Sequence, residues 1–273
     1  MLTIDNRIFS HLDFDEDWEN RSTPKFVSES EGLRVGGYRQ LLDFVSSINY
    51  ENPRFDILYR GQGEDYLMKR RRSSTEPRSS IYPSIFRFPN DHKTMSRKER
   101  ERCFDELDRL SNRLVKEYPF DGRARIRRFE QVQWAILQHY QVVDTPLVDV
   151  TDSLLAAASF AYFDRKNGSG YLYAFGVPHQ QGSISYHADD RLVVVRLASA
   201  CPPEARRAHY QQAYFVGRFT QNRKRSFGDN LAVRMVAKFR LVFPNFWKGG
   251  FSPLPRNFLF PKKDPMRDLL ESF

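Results

Sequence analysis

The sequence predicts an α+β fold, with mixed or antiparallel sheets and a helical middle section. Three observations carry that expectation. Apolar residues recur every three or four positions through much of residues 96–163. Short segments rich in β-branched and aromatic residues dominate beyond position 170. The two kinds of segment do not alternate regularly, which argues against a parallel βαβ sheet. A chain of 273 residues fits one large domain, or one domain with extensions.

The elements follow in order. Residues 1–32 are polar and acidic with scattered aromatics, and read as an arm that packs late or stays loose. Gly36-Gly37 opens a helix in which Tyr38, Leu41, Leu42, Val45 and Ile48 share a face, and Asn52-Pro53 ends it. Residues 55–60 alternate and read as a strand punctuated by Gly61 and Gly63. Residues 69–78, with four consecutive basic side chains, form a basic loop. Pro83 keeps residues 82–87 extended or in a single turn. Ser96 and Glu99 form a capping box, and Cys103, Leu107, Leu110 and Leu114 make the apolar stripe of the charged helix behind it. Residues 129–140 form a second helix of this section. Thr151 or Asp152 caps a third, Ala-rich helix that ends before Gly168. Residues 171–177, 191–197, 213–219 and 239–243 read as strands, and Pro202-Pro203-Glu204 as the start of a short helix.

The composition narrows the function classes. Lys and Arg number 43 against 34 Asp and Glu, a formal charge of +9, which favours a polyanionic or phosphorylated partner. Aromatics reach 14%, which excludes wholesale disorder. The two cysteines, Cys103 and Cys201, have no metal-ligand spacing, so no metal is expected, and a reduced, cytoplasmic setting is. The longest apolar run, residues 154–163, is too short to cross a bilayer.

Several polar residues stand where chemistry is plausible. Arg60 brings a planar fork of donors to the end of a strand, beside the backbone access of Gly61. Gln138, His139 and Tyr140 close a helix, and Asp149 and Asp152 flank Thr151. Buried polar groups require partners, so this cluster is either an internal network or a site, with Arg60 or His139 as a partner for Asp149. Gln211 both donates and accepts. Lys69, Arg70, Arg71 and Arg72, and then Arg125, Arg127 and Arg128, are either solvated surface charge or phosphate contacts.

The order of these pieces resembles a known family. Tyr59-Arg60-Gly61-Gln62, residues 82–87, Leu137-Gln138-His139-Tyr140, residues 147–153 and Ala156-Ala157 are together similar to the FRG domain, named for its Phe-Arg-Gly signature. The resemblance spans about residues 37–220. It divides the chain into an arm (1–32), an FRG-like domain (33–248) and a tail (249–273). Tyr59 replaces the signature Phe, Gln141 and Ala213 stand where Gly is common, and Val150 stands where an aromatic is usual.

The family's layout in turn resembles ADP-ribosyltransferases, a fold-level analogy. It implies an ADP-ribosyltransferase or NAD glycohydrolase that takes NAD as its cofactor-substrate, as a toxin or defence effector acting on nucleic acid. Under that implication Arg60 holds phosphates or ribose and Gly61 the nicotinamide amide. Gln62, Ser84 and Arg87 complete the cradle, His139, Tyr140 and Asp149 support the pocket, and Gln211 grips a ribose hydroxyl. Such transferases often carry a glutamate where this chain has Gln211-Gln212. Two rivals stand beside the enzyme: a non-catalytic module that binds nucleic acid, and a structural or partner-binding domain.

Overall fold

A computed structural model of the chain describes residues 1–4, 7–11, 21–68, 78–87, 96–219 and 230–273. The chain opens with β1 (Ile8–Phe9), β2 (Arg21–Ser22), α1 (Pro24–Glu29), β3 (Leu33–Val35), α2 (Tyr38–Glu51) and β4 (Asp56–Gln62). Two short strands, β5 (Leu67–Met68) and β6 (Arg78–Ser79), precede the helical section of α3 (Arg97–Glu117), α4 (Arg123–Arg128) and α5 (Glu130–His139). Then come β7 (Leu147–Thr151), α6 (Leu154–Phe163), β8 (Ser169–Val177), β9 (Ile184–His187) and β10 (Leu192–Arg196). The chain closes with α7 (Leu197–Ala200), α8 (Arg206–Tyr210), β11 (Ala213–Arg218), β12 (Met235–Val242), α9 (Arg256–Leu259) and α10 (Pro265–Leu270).

The fold is α+β. An eight-stranded mixed sheet runs in the order β3-β12-β8-β4-β7-β11-β10-β9. Its pairs are antiparallel except β3 with β12. The β4–β8 ladder joins seven residue pairs and the β7–β11 ladder five, whereas β4 and β7 meet at a single pair, Tyr59 with Thr151. The sheet therefore parts into two four-stranded halves between β4 and β7.

Two hydrophobic cores follow from this division. One gathers Leu41, Val45 and Ile48 of α2, the alanines of α6, and Phe175 and Phe239 of the β8–β12 half. The other packs α3 and α5 over the second half through Leu107, Leu110, Ile136, Leu147, Val193, Val195 and Phe215. On β10, Leu192 and Val194 belong to the first core while Val193 and Val195 belong to the second, the period-two alternation of a strand covered on both faces.

The capping box forms as the sequence predicts: Ser96 Oγ accepts from Glu99 N–H, and the Glu99 carboxylate accepts from Ser96 N–H. The buried stripe behind it begins at Phe104 rather than Cys103, which is only half-buried. Three expectations change. Residues 147–151 form a central strand, so strands are not confined to the ends. The cap of α6 is Ser153, whose Oγ accepts from Ala156 N–H. Thr151 instead lies in β7, donating to the Gln211 carbonyl and accepting from Ser153 N–H. The described parts of the first 32 residues are packed: Ile4, Ile8 and Val27 are buried in the first core.

Candidate functional site

The parting of the sheet opens a cavity of about 790 Å³. Its walls come from the end of β4, the C-terminus of α5, β7, α6, α8 and the segment containing Phe260. Arg60, Gly61, Gln62, Arg87, Gln138, His139, Asp149 and Gln211 all line it, so segments far apart in sequence converge on one cavity. Ser84 and Tyr140 do not. Ser84 Oγ accepts from Thr145 N–H and fixes a loop, and Tyr140 donates to Asp264 at 3.0 Å. Both side chains are drawn off by structural partners.

Asp149 lines the cleft and keeps about half of its side-chain surface, 53%, exposed. Arg60, 15% exposed, holds it from the neighbouring strand: its Nη1 lies 2.6 Å from Asp149 Oδ1 and donates to the Asp149 carbonyl at 2.7 Å. Arg60 Nε donates to Gln62 Oε1, and Gln62 Nε2 donates to Tyr173. Burial pushes the Asp149 carboxyl up, but the charge and hydrogen bonds of Arg60, helped by Arg87, outweigh it and hold the pKa below its ordinary value. Asp149 is therefore ionised at neutral pH. Nη1 and Nε of Arg60 thus serve Asp149 and Gln62.

His139 is placed by the way α5 ends. Val142 N–H donates to the Leu137 carbonyl and Gln141 N–H to the Gln138 carbonyl, a Schellman motif. It requires Gln141 in the left-handed region, at φ 61°, which is why glycine suits that position. The motif directs the last turn at the cleft. The His139 ring packs edge-on against Phe215 and is only 5% exposed. Burial, reinforced by the Arg207 guanidinium, lowers its pKa to about 3, so the imidazole is neutral at physiological pH. A backbone hydrogen bond with Arg207 works the other way and favours protonation, but burial outweighs it. Nε2 is buried without a partner.

Gln211 is positioned by a related device. Gln212, at φ 46°, closes α8 and its N–H donates to the His209 carbonyl. Gln211 then turns inward, buried, with Nε2 donating to the Leu259 carbonyl at 2.7 Å. The tail thus forms part of the wall, and Phe260 lines the cavity beside Phe160.

Gly61 does line the cavity, but its missing side chain answers a different need. A Cβ there would lie 2.7 Å from the Ala157 carbonyl carbon and 2.9 Å from Ala161 N. A Cβ at Gly63 would strike the Asp164 carbonyl in the same way. The glycines let α6 lie against the end of β4, and the alanines of α6 allow the same close approach from the other side.

Arg207 is the site residue that sequence reasoning missed. It stands four residues before Gln211 on one short helix, a spacing that puts both side chains on one face. Phe160, Asp164, Lys166 and Phe260 were missed too, and carried no comparable signal. The lining holds four cations, Arg60, Arg87, Arg207 and Lys166, against two carboxylates, Asp149 and Asp164, among the described residues. No group of three or more His, Cys, Asp or Glu side chains is placed to hold a metal ion among the described residues. No helix among them is long and apolar enough to cross a membrane.

The basic residues singled out for nucleic acid lie elsewhere. Lys69, Arg70, Arg71 and Arg72 fall outside the described residues. Arg125, Arg127 and Arg128 are exposed on α4, where Arg125 donates to the Ser199 carbonyl and Arg128 sits over Phe129. None of these three lines the cavity.

Residues 56–169 match the family model of the FRG domain. The chain carries an FRG domain. The matched stretch runs from the first residue of β4 to the first residue of β8 and contributes Arg60, Arg87, His139 and Asp149 to the cavity. Arg207, Gln211 and Phe260 close the same cavity from beyond the match. No curated protein and no solved structure matches the chain.

Proposed function

We propose that the FRG domain binds NAD in this cleft and cleaves the bond between nicotinamide and ribose, passing ADP-ribose to water or to an acceptor such as nucleic acid. The carrying observation is the convergence of cationic side chains, an ionised Asp149 and the unpartnered His139 Nε2 on one cavity. Its volume falls in the range of small-molecule and cofactor sites. Cleavage moves the bonding electrons onto nicotinamide and leaves positive charge on the ribose. An ionised carboxylate held by Arg60 stabilises that charge where it develops. His139 Nε2 accepts from a ribose hydroxyl or an amide N–H, and its low pKa suits it to orientation rather than proton transfer. Phe160 and Phe260 offer apolar faces for a ring.

A second reading, a binding module without turnover, is favoured by the carboxylates present. No glutamate lines the cavity among the described residues, and Asp149 is already paired. Incubation with NAD, with and without RNA or DNA, separates the two. Nicotinamide release that disappears in a folded Asp149→Asn variant supports the enzyme. Thermal stabilisation by NAD with no nicotinamide released supports the module, and neither signal defeats both.

A further inference from the structure

The sequence signature centres on Arg60, yet the guanidinium least committed to the protein is that of Arg207. Arg60 is bound to Asp149 and Gln62, and Arg87 Nε donates to the Tyr82 carbonyl at 2.9 Å. Lys166 is paired to Glu64 at 2.8 Å. The Arg207 guanidinium makes no ion pair among the described residues, and its Nε is buried without a hydrogen-bond partner. It is held by ring contacts instead, 4.8 Å from the Phe260 centroid and 5.9 Å from that of Tyr140. Its backbone is fixed as well, through Arg207 N–H donating to Asp264 Oδ2 at 2.8 Å. An arginine stacked between rings keeps its fork in one orientation, with its in-plane donors free for a planar or tetrahedral anion. A buried donor without a partner carries a desolvation cost that a ligand oxygen relieves.

We infer that Arg207 is the principal phosphate-binding residue of the cleft, with Arg87 as the second cation, and that it takes the diphosphate of a nucleotide. Arg60 serves instead to hold Asp149. This assignment deepens the NAD reading and shares its cavity, but its test does not depend on turnover.

Titration of the full chain with inorganic pyrophosphate, ADP, NAD and adenosine by isothermal calorimetry tests it. Pyrophosphate, ADP and NAD are expected to bind and adenosine to bind far more weakly. Charge-assisted hydrogen bonds contribute about 1.5–3 kcal/mol each, so Arg207→Ala should weaken the three phosphates roughly 10- to 150-fold. Arg207→Lys keeps the charge and the stem but loses the fork, and should fall between. It also guards against a folding artefact in the alanine variant, which a melting curve reports. Arg39→Ala, at an exposed arginine paired with Asp43, should leave binding unchanged. Equal pyrophosphate affinity in wild type and both Arg207 variants overturns the assignment, as does the absence of saturable pyrophosphate binding. Pyrophosphate binding that depends on Arg207, without nicotinamide release from NAD, would uphold this assignment and sink the enzymatic reading alone.

Discussion

Replacing Gly61 with alanine distinguishes two explanations of the family's defining glycine. If the glycine exists to admit a ligand, Gly61→Ala leaves the fold intact and abolishes binding. If it exists to seat α6, the same change destabilises the protein. The geometry favours the second. The added methyl would stand 2.7 Å from the Ala157 carbonyl carbon, and its nearby obstacles are backbone atoms of α6. Carbon atoms rest about 3.5–4.0 Å apart and the Ala157 carbonyl oxygen would be nearer still, so the helix has to retreat by more than about 1 Å. Overpacking of this kind costs about 1–3 kcal/mol, and a backbone obstacle that cannot rotate away puts the value near 3. For a chain of this size each kcal/mol lowers the melting temperature by roughly 2–4 °C, which gives a fall of about 6–12 °C. Circular dichroism melts and urea titrations measure it, and calorimetry with pyrophosphate measures binding by the protein that remains folded. A variant that melts within about 2 °C of wild type but no longer binds would show that the helix tolerates the methyl and that the ligand does not.

Other outcomes follow from the same geometry. Lys238 is 1% exposed and paired with Asp65, so Lys238→Met strands a buried carboxylate and should cost about 3–5 kcal/mol in urea unfolding, with part recovered on adding Asp65→Asn. His139 falls from an ordinary pKa of 6.5 to about 3 on folding, so the unfolded chain binds the extra proton. Its contribution therefore turns against folding as pH drops from 6.5 towards 3, and His139→Asn should flatten the acid side of the stability profile in that window. Asp149, with its pKa lowered from 3.8, has the opposite character. Its contribution is present above that value and lost as pH falls through the lowered one, so Asp149→Asn should remove a loss of stability confined to strong acid. Gln141 occupies the left-handed region, and Gln141→Gly should stabilise by about 0.5–1 kcal/mol, the relief of strain less the added chain entropy, read from the urea midpoint.

The parts of the fold that were legible in the sequence are those governed by local rules. The capping box at Ser96, the helix ended by Asn52-Pro53 and the strand leading into Gly61 each carry their signal within a few residues. β7 was harder to read because its other four residues are buried on either side of Asp149, so a strand between two cores looks like a generic apolar run. The cap of α6 was misplaced because three candidate residues, Thr151, Asp152 and Ser153, stand in a row, and the contact with Gln211 that occupies Thr151 comes from 60 positions away. Within the site, order and residue type sufficed to collect Arg60, His139, Asp149 and Gln211. They could not tell that Tyr140 is diverted to Asp264, nor that Ser84 serves the Thr145 loop, since both partners are set by tertiary packing.

The location of the cavity follows from how the sheet is built. A continuous ladder between β4 and β7 would pair the backbone around Arg60 and Asp149 and bring the two side chains into a closed surface. With only Tyr59 and Thr151 paired, the strands part beyond that point, and backbone and side chains there need other partners. Arg60 supplies one of them by donating to the Asp149 carbonyl as well as to its carboxylate. Thr151 supplies another by tying the end of β7 to the last residue of the α8 turn, which carries Arg207 and Gln211. The polar residues thus close the gap in the ladder and at the same time face the space it leaves. The residues that hold the parted strands together at this point, Arg60 and Asp149, therefore also line the cavity, while Arg207, outside the ladder, keeps its Nε without a hydrogen-bond partner.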